Sequence, residues 1–466
     1  MAGLMSARHL TGHPSRPHTP ASAQPVYTRE QSIVPTYPTT DPRPTLPPIQ
    51  APGAGQVPGA PVGAARGGDG PAGGSNDPQP SLLVQYAESV GAYKNLQPSK
   101  AYYRLVRYAL QAMMRQYLCS REKNMNDPWR RLAGCHVWLR GSNLDVVHEP
   151  RRMRAYYRGL QTCGSAWACP VCSGVIYDLR KTEVASALAW ARDRGTHVLF
   201  VTFTIRHTSQ DALAGLLDKM GAATRHLYQS RGFRALKEKY GFLGSIKGIE
   251  ITHGDSGWHP HSHSLFFFER CNIVAIRAEM DRLWLVSLAA VGLSGLSGIA
   301  CTVKESSYSA AEYMTKFEKP RRWDLDAELT MWARKDGRSR GSISPWDLLR
   351  PGPDPRDQET CKTLFVEYAI ATKGRASLVW SPGLKAAVGL KDVSDDQATD
   401  GELNDRDLDI LARLSPAQWG MVLANDCRAE LLQVADSGDV QALALFLACI
   451  GVVVAPIVEM LALPPS

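Results

Sequence analysis

Three histidines, His259, His261 and His263, stand at every second position of GWHPHSHSLFFF (257–268), in a chain of 466 residues that holds 12 histidines. Alternate side chains of an extended strand share a face, so the three imidazoles line one surface. The apolar run that follows predicts a strand entering a core. The segment before it, SIKGIEIT, reads as a hairpin partner across the short turn HGDSG. Centring the hairpin on Asp255 and Ser256 pairs residues whose numbers sum to about 511 and sets Glu250 opposite His261. Glu250, His261 and His263 could then hold one divalent ion: Mn²⁺, Zn²⁺, Fe²⁺ or, less comfortably, Mg²⁺. A register slip of one residue would turn Glu250 to the other face, so the carboxylate is the conditional member of the set. An HxHxDH hydrolytic site does not fit, because Leu265 and Phe266 occupy the Asp-His places. Surface or satisfied core histidines are the bland alternative, and a same-face row beside a hairpin glutamate argues against it.

A second chemistry-bearing stretch is SAAEYMTKF. Ser309 and Glu312 form a capping-box pattern, which predicts a short helix with Tyr313 in its first turn. Lys316 follows three residues later, about 60° around the helix, so both side chains could reach one phosphate. A phenol with a pKa of about 10 is a poor nucleophile at neutral pH. It needs a nearby cation, a base or a metal that polarises the phosphodiester. Tyr308 is the rival, but on a continuous helix it lies about 140° from Tyr313, and it has no lysine partner. Tyr313 is therefore the candidate nucleophile, and Lys316 the candidate stabiliser of developing charge, an ordinary amphipathic-helix tyrosine being the plain alternative.

The third group is Cys163, Cys169 and Cys172, a C-x₅-C-x₂-C pattern in CGSAWACPVC. The tight CPVC turn aims two thiolates inward, and tetrahedral zinc asks for a fourth ligand. Cys135 is the choice, with His136 and Cys119 as alternatives. A redox pair at a helix start is the competing reading; the third cysteine and the basic surroundings argue against it. The remaining cysteines, apart from Cys119, read as buried thiols.

The surrounding elements must position these groups. SKAYYRLVRYALQAMMRQYL predicts a basic amphipathic helix whose Arg104, Arg107 and Arg115 border its apolar face as candidate DNA contacts, a solvated face being the plain alternative. A long helix is expected over about 175–194, closed by Gly195. Beyond it the order is strand (THVLFVTFTI), helix, two strands, helix (IVAIRAEMDRLWLVSLAAV), strand (SGIACTVK) and short helix. This is the split βαβ, ferredoxin-like pattern of an α+β fold, with one sheet face left open for a site.

Composition supplies the frame. A net charge of +8 leans mildly toward polyanions. From Lys100 to Lys181 there are about fifteen Lys/Arg against about five Asp/Glu, whereas from Lys391 onward there are about four against thirteen. A basic front and an acidic rear suggest that only the front and middle touch phosphate. Ten cysteines and an N-terminus without a long apolar run favour a cytoplasmic chain with thiols and metal rather than disulfides. The apolar stretch ALALFLACIGVVVAPIV is at the short limit for a membrane span and contains Pro456. It reads as a buried C-terminal helix pair, with no stable membrane insertion.

Four further observations belong together. HPHSH on a strand resembles the His-hydrophobic-His motif of the HUH endonucleases, and in particular of the plasmid rolling-circle replication initiators. In that alignment His261 and His263 are the pair, His259 lies outside it, and Ser262 departs from the apolar residue between them. VLFVTFTI is similar to the family's first motif, SAAEYMTKFEKP to its third, and CGSAWACPVC to a cysteine knuckle that precedes the nuclease in one branch. ISPWDLL and LVWSPGLK are also similar to that branch. The resemblance covers roughly residues 100–390. It implies a metal-dependent endonuclease and strand transferase with Mn²⁺ or Mg²⁺ at the histidines. Tyr313 would attack single-stranded DNA at a plasmid or phage origin hairpin, leaving a 5′-phosphotyrosine and a 3′-OH that primes a polymerase. A host helicase and polymerase would be partners, and homodimerisation stays open. Residues 1–80 are then a disordered Pro/Gly/Ala-rich tail and 81–195 a basic helical and cysteine-knuckle region. Residues 196–320 form the nuclease core, 321–390 its extension, and 391–466 an acidic, then apolar, helical region. A transposase of the same chemistry and a non-catalytic zinc-dependent DNA-binding regulator are the alternatives.

Overall fold

The computed structural model describes residues 100–119, 127–305, 343–350, 355–400 and 408–454. Tyr308, Tyr313, Lys316 and the helix expected around them lie outside the described residues, as does the N-terminal tail.

The fold is α+β, with two antiparallel sheets. Helices α1 (Lys100–Leu118) and α2 (Arg130–Gly134) lead into strands β1 (Leu144–Glu149) and β2 (Arg154–Arg158). Helix α3 (Pro170–Asp193) starts five residues earlier than its apolar pattern suggests, because the Cys169 sulfur caps it, accepting from the Cys172 N–H at 3.5 Å, and Pro170 fits the first turn. Gly195, at φ +65°, closes it.

The larger sheet then follows: β3 (His197–Thr204), α4 (Leu213–Gln229), α5 (Arg231–Tyr240), β4 (Phe242–Gly254), β5 (Gly257–Phe268), α6 (Ile273–Ala290) and β6 (Cys301–Glu305). The rest comprises α7 (Pro355–Thr372), β7 (Leu378–Trp380), α8 (Leu384–Ala387), α9 (Asp395–Thr399), β8 (Asp409–Leu414), α10 (Pro416–Ala424), α11 (Arg428–Ala435) and α12 (Val440–Cys449).

The larger sheet runs β6-β3-β5-β4-β7. Its first four strands interleave two βαβ units, β3 with β4 and β5 with β6, each unit split by a strand of the other, which is the expected pattern. Helix α5 was not expected; Ser230 caps it, Phe233, Leu236 and Tyr240 bury one side, and Gly241 ends it at φ +62°. Gly257, at φ +84°, closes the β4–β5 turn against the backbone of Ser209, which lies 2.9 Å from where a Cβ would be.

Alternation divides the sheet's two faces. Leu199, Val201, Phe203, Phe266 and Phe268 pack under α4 and α6 with Met220, Met280 and Trp284. On the other face Ile246, Leu265 and Phe267 pack against Val184, Ala187, Leu188 and Ala191 of α3. The expectation of an open face is therefore corrected: α3 covers its apolar end, and the histidine end alone carries the partly exposed polar groups.

The second sheet, β2-β1-β8, joins residues far apart in sequence. Strand β8 pairs with β1, and Asp145 holds Arg158 of β2 and Arg413 of β8. The acidic C-terminal region thus completes the layer built by the basic one, so it is no separate body. Arg104 meets Asp436, Arg131 meets Asp396, Arg140 meets Asp400 and Arg180 meets Asp395. The asymmetry of charge along the chain is in part complementarity within the fold. The C-terminal apolar helix ends at Cys449, short of the stretch that suggested it. Among the described residues no helix is long and apolar enough to cross a membrane.

Candidate functional site

The hairpin register is the expected one. Glu250 is directly opposite His261, Gly248 opposite His263, and Thr252 opposite His259. From the other side β3 sets Thr202 across from His263 and Thr204 across from His261. Nε2 of His263 lies 2.8 Å from Oε2 of Glu250, and Nδ1 of His261 lies 4.0 Å from the same oxygen. Ligand atoms about 2.0–2.2 Å from a shared ion would stand at such separations. His263 is buried, His261 side-chain exposure is 24% and that of Glu250 is 39%, so the cluster is anchored on one side and reachable on the other.

Thr202 was not singled out by sequence. Its Oγ1 is 3.1 Å from Nδ1 of His263, which fixes the ring and leaves Nε2 facing the glutamate. Phe200 stacks on the same ring at 5.4 Å. The signal was present in the alternating threonines of VLFVTFTI. His259 contacts His261 with ring centroids 4.1 Å apart and is hydrogen-bonded to His207, whose Nδ1 is 3.0 Å from the carbonyl of Ser256. His207 had no sequence signal beyond its position three residues after β3.

Electrostatics suit cation binding. Burial pushes the Glu250 carboxyl up, but the hydrogen bond with His263 and the histidine charges outweigh it, so its pKa falls below the usual value. Burial, then the neighbouring His259, pushes His261 down to about 4, which keeps the imidazole neutral near pH 7 with a free lone pair. Glu250, His261 and His263 form a group able to hold a metal.

The cysteines converge as well. Cys135, Cys163, Cys169 and Cys172 are buried, with all four sulfurs within 4.8 Å of one another. Sγ–Sγ separations of 3.4 Å for Cys135–Cys172, 3.6 Å for Cys163–Cys172 and 3.7 Å for Cys135–Cys169 are far longer than a disulfide. They approach the edge of about 3.8 Å that four sulfurs at about 2.3 Å around one centre would have. Cys135 is thus the fourth member; His136 instead faces the Tyr108 hydroxyl, and the Cys119 thiol turns to the Trp129 carbonyl. The Gln111 amide, 3.5 Å from the Cys169 sulfur, supplies an outer donor that the sequence did not flag.

The arginines of α1, expected as DNA contacts, have neighbours within the fold. Arg104 is held bidentately by Asp436 at 2.9 and 3.0 Å. Arg115 bonds to Gln111 and to the Cys135 carbonyl, so it braces the cysteine cluster. Arg107 lies against Gly174 of α3. Helical periodicity places all three beside an apolar face; that face packs against the C-terminal helices and α3, which turns the charges of Arg104 and Arg115 inward.

Residues 157–273 match a family model described as a replication protein. Over that stretch the chain is similar to the replication-protein family. The match holds Cys163, Cys169, Cys172, Glu250, His261 and His263, and it ends before Tyr313. The chain is 26% identical over 313 residues to the protein named "Protein rep" of Streptomyces lividans, covering 53% of this chain and 67% of that one. It is 32% identical over 135 residues to a "Neomycin resistance protein" of Streptomyces cyanogenus, covering 23% of this chain and 30% of that relative. No solved structure matches. The replication-protein match and the two antiparallel sheets agree with a replication initiator.

Proposed function

We propose that this replication protein is a site-specific endonuclease that nicks and rejoins single-stranded DNA at a plasmid or phage origin. The observation that carries this reading is the cluster of Glu250, His261 and His263 on two paired strands inside the matched family segment. Those three residues would hold a divalent ion, Mn²⁺ or Mg²⁺, which when bound supplies positive charge to a phosphodiester oxygen.

In this reading the Tyr313 oxygen attacks phosphorus and loses its proton. The P–O3′ bond breaks, the departing 3′-oxygen gains a proton, and the 5′-phosphate remains on the tyrosine. Bond energy is thereby kept for rejoining. Lys316 offsets the negative charge that develops at the phosphate, while Thr202 holds His263 in orientation. The four cysteines would hold structural zinc, tying α3 to the β1–β2 region; the head of α3 carries Cys169 and Cys172 while its far end packs on the histidine-bearing sheet.

The test is a single-stranded origin oligonucleotide incubated with the protein and Mn²⁺. A covalent adduct that disappears in Tyr313→Phe and persists in Tyr308→Phe is the expected result. Origin binding without any adduct would leave the regulator reading standing and remove this one.

A further inference from the structure

Behind the histidine row, on the opposite face of the same hairpin, lies a second polar group that the nicking chemistry does not use. Ser262 interrupts the two histidines where an apolar residue was expected, and alternation sends its side chain away from them. The register opposes Ser262 to Ile249 and Ser264 to Lys247, so all four share the face beneath α4. Ser262 and Ser264 are 1% and 0% exposed, and neither hydroxyl has a hydrogen-bond partner among the described residues. Such groups are rare in folded proteins and ask for an occupant.

A half-open cavity of about 230 Å³ lies here, with Leu217, Met220, Thr224, Lys247, Ser262 and Arg375 among its walls. One water takes about 30 Å³ of liquid volume, so the space exceeds what one hydroxyl needs for satisfaction. Thr224 already donates to the Met220 carbonyl, and Arg375 is bonded to Asp218 and the Ala371 carbonyl. Among the described residues no acidic group acts on Lys247: burial lowers its pKa, and the cation of Arg225 adds to the effect. The cavity therefore presents an ammonium and a free hydroxyl as donors, with Leu217, Met220 and Val379 as an apolar bed. An acceptor-rich anion with an organic body complements both parts.

We propose that this cavity binds a small phosphate monoester of mononucleotide class, its phosphate on Lys247 and Ser262 and its organic part on Leu217, Met220 and Val379. The phosphate comes from a free nucleotide or from the phosphorylated 5′ end of a strand. The proposal does not depend on the nicking reaction, since it concerns the opposite face of the sheet and is read by binding alone.

The test is calorimetric titration of the full chain, without added divalent ion, using inorganic phosphate, dTMP and thymidine. dTMP should bind more tightly than phosphate, and thymidine should not bind. Lys247→Met should weaken dTMP about tenfold or more, the scale of a charge-assisted hydrogen bond, and Ser262→Val by about three- to tenfold. If either variant is misfolded by circular dichroism, the exposed Arg225→Gln replaces it, with a loss of about two- to threefold. Displacement of dTMP by a 5′-phosphorylated tetranucleotide, and not by its 5′-hydroxyl form, would assign the strand end as the source; no displacement by either would assign the free nucleotide. Wild-type protein that binds neither phosphate nor dTMP up to roughly 10 mM, or folded Lys247→Met and Arg225→Gln variants that bind dTMP like wild type, would overturn the proposal.

Discussion

Nε2 of His263 sits 2.8 Å from the Glu250 carboxylate, although the residue directly across the ladder from Glu250 is His261, at 4.0 Å. Gly248, the residue that faces His263, has no side chain to intervene, so the glutamate can reach along the strand to the diagonal neighbour. The register, more than any single residue, makes the three groups converge.

Glu250→Gln should keep the fold and weaken Mn²⁺ binding on the order of 100-fold, because outer-sphere partners alone are worth roughly 10–100-fold. Thr202→Val should cost about tenfold by releasing the His263 ring. Calorimetric titration with Mn²⁺ reads both; unchanged affinity in Glu250→Gln would remove the carboxylate from the ligand set.

Cys169→Ser and Cys172→Ser should each release zinc and lower the melting temperature, since a structural metal contributes folding free energy directly. Cys119→Ser should retain it, because that thiol lies apart from the cluster. Elemental analysis of the purified wild type, expected at about one zinc per chain, is the check. Its absence would leave four packed thiols with a structural role only.

The hairpin and the knuckle were legible because both are local. Period-two alternation and a centred turn determine which residues face each other, and Glu250 could be paired with His261 by counting. The Cys169–Cys172 spacing is likewise written in the sequence, whereas the choice of Cys135 needed a contact 34 residues away. The pairing of β1 with β8 was not legible. No local pattern announces that Asp145 will hold Arg413, 268 residues later, and charge asymmetry suggested a phosphate surface where the fold uses several of those charges internally. The internal partners of Arg104 and Arg115 were hidden for the same reason: helical periodicity gives the face of a residue but not what covers it.

Acid should loosen that long-range sheet. Burial alone would raise the Asp145 carboxyl, but the hydrogen bonds and charges of Arg413 and Arg158 outweigh it and hold it below 3.8. Asp400 is held low mainly by its bond with Arg140. A folded-state pKa below the unfolded one gives stabilisation that is fully present above the unfolded value and lost as pH falls through the folded one. Melting temperature should therefore drop below about pH 4. Asp145→Asn should lower it at pH 7 and flatten that acid dependence; an unchanged profile would mean the ion pairs contribute nothing measurable.

Removal of the acidic C-terminal region looks harmless from sequence, since it would repel a phosphate backbone and lies outside the resemblance. The fold predicts the opposite. Leu411, Leu414, Trp419, Leu431, Leu432 and Leu447 are all buried, and their partners in α1, β1 and β2 would be left facing water. Burying one such side chain is worth roughly 1.5–3 kcal/mol, so the loss is on the order of 10 kcal/mol, comparable with the whole stability of a domain. Truncation would also strip Asp436 from Arg104, Asp395 from Arg180 and β8 from β1. A chain ending at residue 390 should be aggregated or only partly folded by circular dichroism, and should have lost zinc together with nicking. Deleting residues 1–76 instead should leave both intact, because this Pro/Gly/Ala-rich stretch carries no core-forming pattern. A soluble, cooperatively melting chain that ends at 390 and still forms the tyrosine adduct would show that the C-terminal layer is dispensable, and that its pairing with β1 does not support the nuclease.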